Sequence, residues 1–351
     1  MNRKLLEICS RFISADHIVS IALYGEGHIH DTYFVETRNH QPDYILQKIN
    51  HNIFRDIPGM MGNIEKVTTH IRQKLAGLPG HDPGRESLTL VKTKEGQSFF
   101  MDGNGNYWRM FVFIPGTVTF QIMTDPAMGF EAGKTIGNFQ ALLSDLKDPL
   151  IETIPDFHNM DLRISQFQQA KVTNPNGRVA LVPHELLFAE QHFDRMQVYF
   201  HELNEKAVVR TTHNDTKLNN ILFDRQDKAL CLIDLDTVMP GFVHFDYGDA
   251  LRTMANTSLE DEKDLSKVQF NKDIFDSFTR GYLDAAGGFL APAELDLLPY
   301  APIFMTYIIG LRFLTDYLNG DVYFRVNHPE HNLERARVQF KLVSEMEKFF
   351  L

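Results

Sequence analysis

Cysteine is scarce in this chain: two residues, Cys9 and Cys231, occur among 351. Two thiols without regular spacing offer neither a disulfide framework nor a thiolate metal site, so both are expected free, in a reducing compartment. The fifteen histidines contain no HExxH and no paired metal spacing, which sets a zinc enzyme aside. Positive charge is short as well. Against 46 Asp and Glu stand only 35 Lys and Arg, a formal net charge of -11; a polyanion would be repelled, and nucleic acid is not an expected partner. Long apolar runs are lacking too. The longest, PYAPIFMTYIIGL at residues 299–311, is ended by Arg312, short of the roughly 20 residues a membrane span needs. In place of a leader pattern, MNRKLLEICSRFIS sets Leu5, Leu6, Cys9, Phe12 and Ile13 at helical spacing. The cytoplasm is the expected location, with no membrane partner. No repeat, heptad or apolar surface stripe stands out, so the oligomeric state is left open.

What the chain does hold changes character part-way along. SIALYG (20–25), DTYFVET (31–37) and YILQKIN (44–50) are β-branched or aromatic runs separated by polar turns, and predict three consecutive antiparallel strands. NIEKVTTHIRQKLAG (63–77) predicts a helix ended by glycine. SLTLVKT, SFFMD and YWRMFVFI then resume strand character around KEGQ and GNGN. Beyond Pro115, FEAGKTIGNFQALLSDL, HELLFAEQHFDRMQVYFHEL, DIFDSFTRGYLDAAGG and ARVQFKLVSEMEKFF all carry helical periodicity. The expectation is an α+β chain: a small antiparallel sheet with one helix over 1–114, a mainly helical part over 115–351, and a boundary at IPGT, residues 114–117.

The helical part contains one strong strand signal, at 207–236, interrupted by the polar stretch HNDTKLNN at 213–220. ILFD (221–224) and ALCLI (229–233) flank the turn RQDK and predict a hairpin. The residue before its first strand, Asn220, and the residue after its second, Asp234, then lie at the same end. An amide carbonyl beside a carboxylate is a hard-oxygen pair of the kind magnesium takes along with waters and phosphate oxygens. Asp215 lies in the same loop. One carboxylate to orient and deprotonate an acceptor hydroxyl, with an Asn and a second Asp for the metal, is what phosphoryl transfer from a nucleotide requires. The competing explanation is that these Asp and Asn side chains only hold turns and cap a strand.

His213-x-Asp215-x4-Asn220, the Ile233-Asp234 pair and FDYGDALR (245–252) resemble the aminoglycoside phosphotransferase and choline kinase superfamily. That resemblance implies a bilobal protein-kinase-like fold: a small antiparallel-sheet N-lobe plus one helix, and a larger, mainly helical C-lobe with a catalytic hairpin. More narrowly, YGEGHIHDTYFV, YILQKIN, THNDTKLNNIL, IDLDTVMPG, LEDEKDLSKV, MTYIIGLRFLTDYLNGDVYF and PEHNLERARVQFKLV are similar to the bacterial N-acetylhexosamine 1-kinases. The resemblance implies transfer of the ATP γ-phosphate to the anomeric hydroxyl of N-acetylglucosamine or N-acetylgalactosamine, with Asp215 as base and Asn220 and Asp234 as magnesium ligands. Two alternatives stay open: another alcohol as acceptor (a different sugar, an aminoglycoside, choline), or a nucleotide-binding regulator without catalysis.

By the same resemblance Gly25 and Gly27 belong to a turn over the nucleotide phosphates, although two glycines make an equally good plain hairpin. His28 and Asp31 are phosphate or sugar contacts on one reading and a polar hairpin tip on the other. Gln47 stands where the general kinase pattern has a phosphate-binding Lys or Arg; Lys48, one residue on, faces the opposite side of the strand. The usual Lys to Glu pair with the following helix, for which Glu65 is the candidate, is therefore not expected in its usual form. Backbone groups from Phe111 to Ile114 are candidates for adenine, or form a simple edge strand. Asp246 and Asp249 are expected to brace the loop, and Asp236 to stand near the metal or the sugar. Arg312 and Asp316, at i and i+4 in an apolar helix, form either a buried ion pair or a sugar site that also draws on Tyr317, Asp321 and Tyr323.

Overall fold

The computed structural model describes residues 2–25, 30–39 and 41–350. A short helix, α1 (Arg3–Cys9), precedes six antiparallel strands: β1 (Ile18–Leu23), β2 (Asp31–Thr37), β3 (Tyr44–Ile49), β4 (Leu90–Val91), β5 (Phe100–Met101) and β6 (Tyr107–Val112). Their order is β1-β2-β3-β6-β4, with β5 also on β6. The two faces of this sheet have separate cores because side chains alternate along a strand. Leu46, Trp108 and Met110 pack with Leu5, Ile8 and Cys9 of α1, whereas Phe111 and Ile49 join the main core on the other face.

That other face is covered by helix α2 (Ile57–Ala76). It begins six residues earlier than the sequence pattern suggested. Pro58, Gly59 and Gly62 look like turn residues, but Pro fits the first turn of a helix, and the Asp56 side chain caps it by accepting the Gly59 N–H at 2.9 Å. Asn63 ties α2 to the second lobe: its amide donates to the carbonyls of Ile151 (2.8 Å) and Val238 (2.9 Å) and accepts the Ile151 N–H.

The second lobe holds β7 (Thr117–Val118), α3 (Pro126–Leu143), α4 (Met160–Thr173), α5 (Pro183–Lys206), β8 (Arg210–Thr212), β9 (Ile221–Asp224), β10 (Ala229–Leu232), β11 (Met239–Gly241), α6 (Val243–Met254), α7 (Lys272–Ala286), α8 (Pro292–Leu297), α9 (Ala301–Asn319) and α10 (His331–Phe350). The expected hairpin is β9–β10, joined by β7, while β8 pairs with β11. Helices α3 and α7 touch backbone to backbone. A methyl group at Gly133 would strike the Phe278 carbonyl, and one at Gly281 the Phe130 carbonyl. Among the helices the pattern did not single out are α4, which buries only Met160, Phe167 and Ala170, and α6, which is buried nearly throughout despite its Asp and Arg residues. The stretch Pro292–Asn319 is long and apolar enough to cross a membrane by composition alone, yet 72% of its most apolar window is buried inside the protein. Its apolar character is spent on the core, chiefly by α9.

Candidate active site

The polar loop between β8 and β9 is satisfied almost group by group. Asp246, in the first turn of α6, accepts the backbone N–H groups of His213 (3.0 Å) and Asn214 (2.6 Å), and the Gln140 amide at 2.8 Å. The Thr216 hydroxyl donates to the Asp246 carbonyl, and that of Thr237 to the His213 carbonyl. His213 donates from Nε2 to the Ile233 carbonyl at 2.9 Å while its Nδ1 accepts the Asp215 N–H; a carbonyl can only accept, so both ring nitrogens are engaged and the ring is fixed in orientation. Asn214 takes a left-handed backbone, φ +65°, stabilised by its side-chain bonds to the carbonyls of Thr212 and Thr237. His158 completes the clamp from outside, Nε2 to the Asn214 carbonyl at 3.0 Å. Burial, with Arg312 nearby, lowers His158 to about 3, so this ring is neutral.

The half-buried Asp215 carboxylate is different, because its partners are groups that face the cleft. Lys217 Nζ lies 2.7 Å from its Oδ2, and Asn220 Nδ2 donates to the same oxygen at 3.1 Å and to the Asp215 carbonyl at 2.8 Å. Burial would raise this carboxyl, but the charge and hydrogen bond of Lys217, with help from Arg252, hold it below the usual carboxylate range. Lys217 was not singled out from the sequence, although its position two residues after Asp215 was the available signal. The bond from the Ile233 N–H to the Asn220 carbonyl (2.9 Å) closes the hairpin, so Asn220 and Asp234 stand at one end of it, beside Asp215.

Asp234 has φ +62° and opens a helical turn, Leu235–Thr237. Its carboxylate has no hydrogen bond or ion pair among the described residues. Burial and the neighbouring carboxylates of Asp236 and Asp215 raise it against the opposing charge of Lys217. Asn220 directs its Nδ2 at Asp215, which leaves Oδ1 for a cation. A free carboxylate beside a free amide oxygen suits magnesium that keeps its phosphate and water ligands.

The model of the phosphotransferase enzyme family matches residues 20–294. The chain belongs to this family. Solved structures agree on the fold at low identity. A microcompartment-associated aminopropanol kinase is similar with a TM-score of 0.66 at 15% identity, over 99% of this chain and 96% of that one. The choline kinase from Cryptosporidium parvum Iowa II follows with 0.62 at 13%, over 99% and 96%. A spectinomycin phosphotransferase in complex with ADP and spectinomycin gives 0.56 at 12%, over 94% of each chain.

Of the residues expected to serve the nucleotide, Gly25 has φ +71° with no described residue within 4 Å of where a side chain would stand, a conformation that favours glycine. Gly27 and His28 lie outside the described residues. Asp31, at the start of β2, is exposed and 3.7 Å from Lys48 Nζ. Gln47 points to the α2 face, where its Nε2 donates to the Thr32 hydroxyl (3.2 Å) and its Oε1 accepts from Arg109 Nε at 2.9 Å. Glu65 pairs with Lys92, away from β3. Phe111 is in register with Ile45 and Leu90. Ile114 is buried, and its carbonyl accepts the Thr117 hydroxyl at 2.8 Å.

Of the residues expected to serve the acceptor, Arg312 does not pair with Asp316. Its guanidinium lies over the rings of Phe157 (4.7 Å), Phe324 (5.5 Å) and Tyr323 (5.6 Å), with one long hydrogen bond to the Tyr323 hydroxyl. Phe157 in turn packs on His158 at 4.4 Å, so Arg312 is two rings from the loop that carries Asp215. Asp316 instead accepts the backbone N–H groups of Val322, Tyr323 and Phe324 and the Asn332 amide, all at 2.8–2.9 Å. Tyr317 is buried beneath Arg178, which also pairs with Asp321. An i,i+4 pattern read along one helix does not see a loop returning over it, and backbone donors outbid the arginine for Asp316.

Proposed function

We propose that this phosphotransferase moves the γ-phosphoryl group of ATP to the anomeric hydroxyl of N-acetylglucosamine or N-acetylgalactosamine. Asp215 accepts the proton of that hydroxyl, and its low pKa keeps it ionised to do so. Lys217 and Asn220 hold the carboxylate in place, and the chain of bonds from Asp246, Thr237 and His158 keeps the loop from relaxing. Asn220 Oδ1 and Asp234 would hold magnesium, which when bound neutralises charge on the phosphates. Gly25 and the backbone between Phe111 and Ile114 serve the nucleotide; Arg312, with Asp316 and Tyr317 shaping its surroundings, serves the sugar.

The observation that carries the choice of acceptor is the position of Arg312. Quaternary and protonated amines are bound over aromatic faces, and here those faces already carry the protein's own cation. A second half-buried arginine, Arg163, stands close enough that its pKa is lowered to about 10 by burial and by the Arg312 charge. This corner repels choline and aminoglycosides and suits a neutral acceptor rich in hydroxyl and carbonyl oxygens. ADP release with magnesium-ATP, measured against both N-acetylhexosamines, galactose, glucose, choline and kanamycin, tests the reading. Turnover of an N-acetylhexosamine with an anomeric phosphate in the phosphorus NMR spectrum supports it. Turnover confined to choline or kanamycin overturns the acceptor assignment.

A further inference from the structure

His30, Asp234 and Asp236 bring one ligand atom each within 4.8 Å of one another, closer to a metal cage than the pair Asn220 and Asp234. Two of the three are nevertheless engaged. Asp236, 2% exposed, gives Oδ1 to the guanidinium of Arg109 and Oδ2 to His30 Nε2 at 2.5 Å. His30 Nδ1 accepts the Asn50 N–H at 3.0 Å, so the ring proton is on Nε2 and neither nitrogen is free to ligate. Only Asp234 lacks a partner among the described residues.

Arg109 comes from the other lobe. It stands on β6, in register with Gln47 of β3, is 1% exposed, and lies 5.3 Å from the Phe111 ring. A Lys or Arg at position 47 would set a second cation beside it and compete for Asp236. The neutral Gln47 instead accepts from Arg109 Nε and aims the guanidinium across the cleft.

We propose that Arg109, aimed by Gln47, is a positioning residue that keeps Asp236 out of metal coordination and so leaves Asp234 and Asn220 as the ligand pair for the nucleotide's magnesium. The inference rests on the ligand pair proposed above. Magnesium is suited by one or two carboxylates and its retained waters, whereas added carboxylates make a site that binds a divalent ion without nucleotide. Arg109 cancels the second carboxylate and couples the turn after Asp234 to the N-lobe sheet.

The test is manganese titration of the nucleotide-free full chain, followed by the EPR signal of free Mn2+, on wild type, Arg109→Gln and Arg109→Gln/Asp236→Asn. The expected result is that Arg109→Gln binds Mn2+ about tenfold or more tightly than wild type, because Asp236 becomes a ligand, and that the double variant returns to the wild-type value. Affinity of Arg109→Gln within about threefold of wild type overturns the role of Arg109. If Arg109→Gln does not fold, Arg109→Met decides: it carries neither a donor nor a charge to Asp236, and the same rise in Mn2+ affinity is expected, its absence counting against the inference. Asp234→Asn separates the two readings. If it keeps the magnesium-dependent part of ADP affinity, the ligand pair falls and the inference with it. If that part is lost while the Arg109 variants bind Mn2+ like wild type, only the role of Arg109 falls.

Discussion

Lys217 Nζ lies 2.7 Å from Asp215 Oδ2, within the same loop. The pair is mutually stabilising: Asp215 is held low, and although burial opposes it, Lys217 is pushed up by Asp215 and Asp234. Removing the ammonium leaves burial to dominate at Asp215. For Lys217→Met the acid limb of the kcat/KM profile should move to higher pH, since the proposed base Asp215 needs its ionised form and would then be ionised only at higher pH. A profile whose acid limb does not move would separate Lys217 from the base.

Asp215→Asn keeps a side chain of the same shape and removes the proton acceptor. Turnover should fall by about 10²- to 10⁴-fold, the usual worth of a general base, while ADP binds with an affinity within about twofold of wild type. The check is kcat by ADP release beside calorimetric ADP binding. A variant with wild-type kcat would remove Asp215 from its proposed role.

His158 is buried, and its pKa falls from 6.5 to about 3. Between those values the unfolded imidazole binds a proton that the folded one refuses, so stability is lost as pH falls through this window and is unaffected above it. His158→Gln can still donate to the Asn214 carbonyl but does not titrate. Urea unfolding at a series of pH values should show wild type losing more stability than His158→Gln between about pH 6.5 and 3; parallel curves would contradict the buried neutral imidazole.

Asp316→Ala removes the acceptor for three backbone N–H groups at residues 322–324. Leaving them unpaired should cost about 3 kcal/mol or more, read from chemical denaturation. The acceptor KM should rise with it, because that loop carries Tyr323 and Phe324 against Arg312. A loss below about 1 kcal/mol would mean that water replaces the carboxylate freely.

The alternation of β2 and β3, the polar turn of the β9–β10 hairpin and the clustering of Asp215, Asn220 and Asp234 were legible because each depends on residues close along the chain. Strand period, turn chemistry and hairpin closure are local constraints, and together they bring Asn220 and Asp234 to one end whatever else the molecule does. The start of α2 and the existence of α6 were not legible, since Pro and Gly in one and buried carboxylates in the other obscure the helical pattern. Asp249 and Arg252 of α6 are explained by their ion pair, and Asp246 by its bonds to the loop.

By itself the sequence determined the two kinds of lobe, the hairpin and the set of groups that can handle a phosphate and a metal. Only the tertiary structure decided which carboxylates are free. Asp236 is 127 residues from Arg109 and 206 from His30, and Asp316 is claimed by a loop folding back over its own helix. A buried charge must find a partner at any sequence distance, and the identity of that partner is set by packing of the two lobes, which no local pattern records.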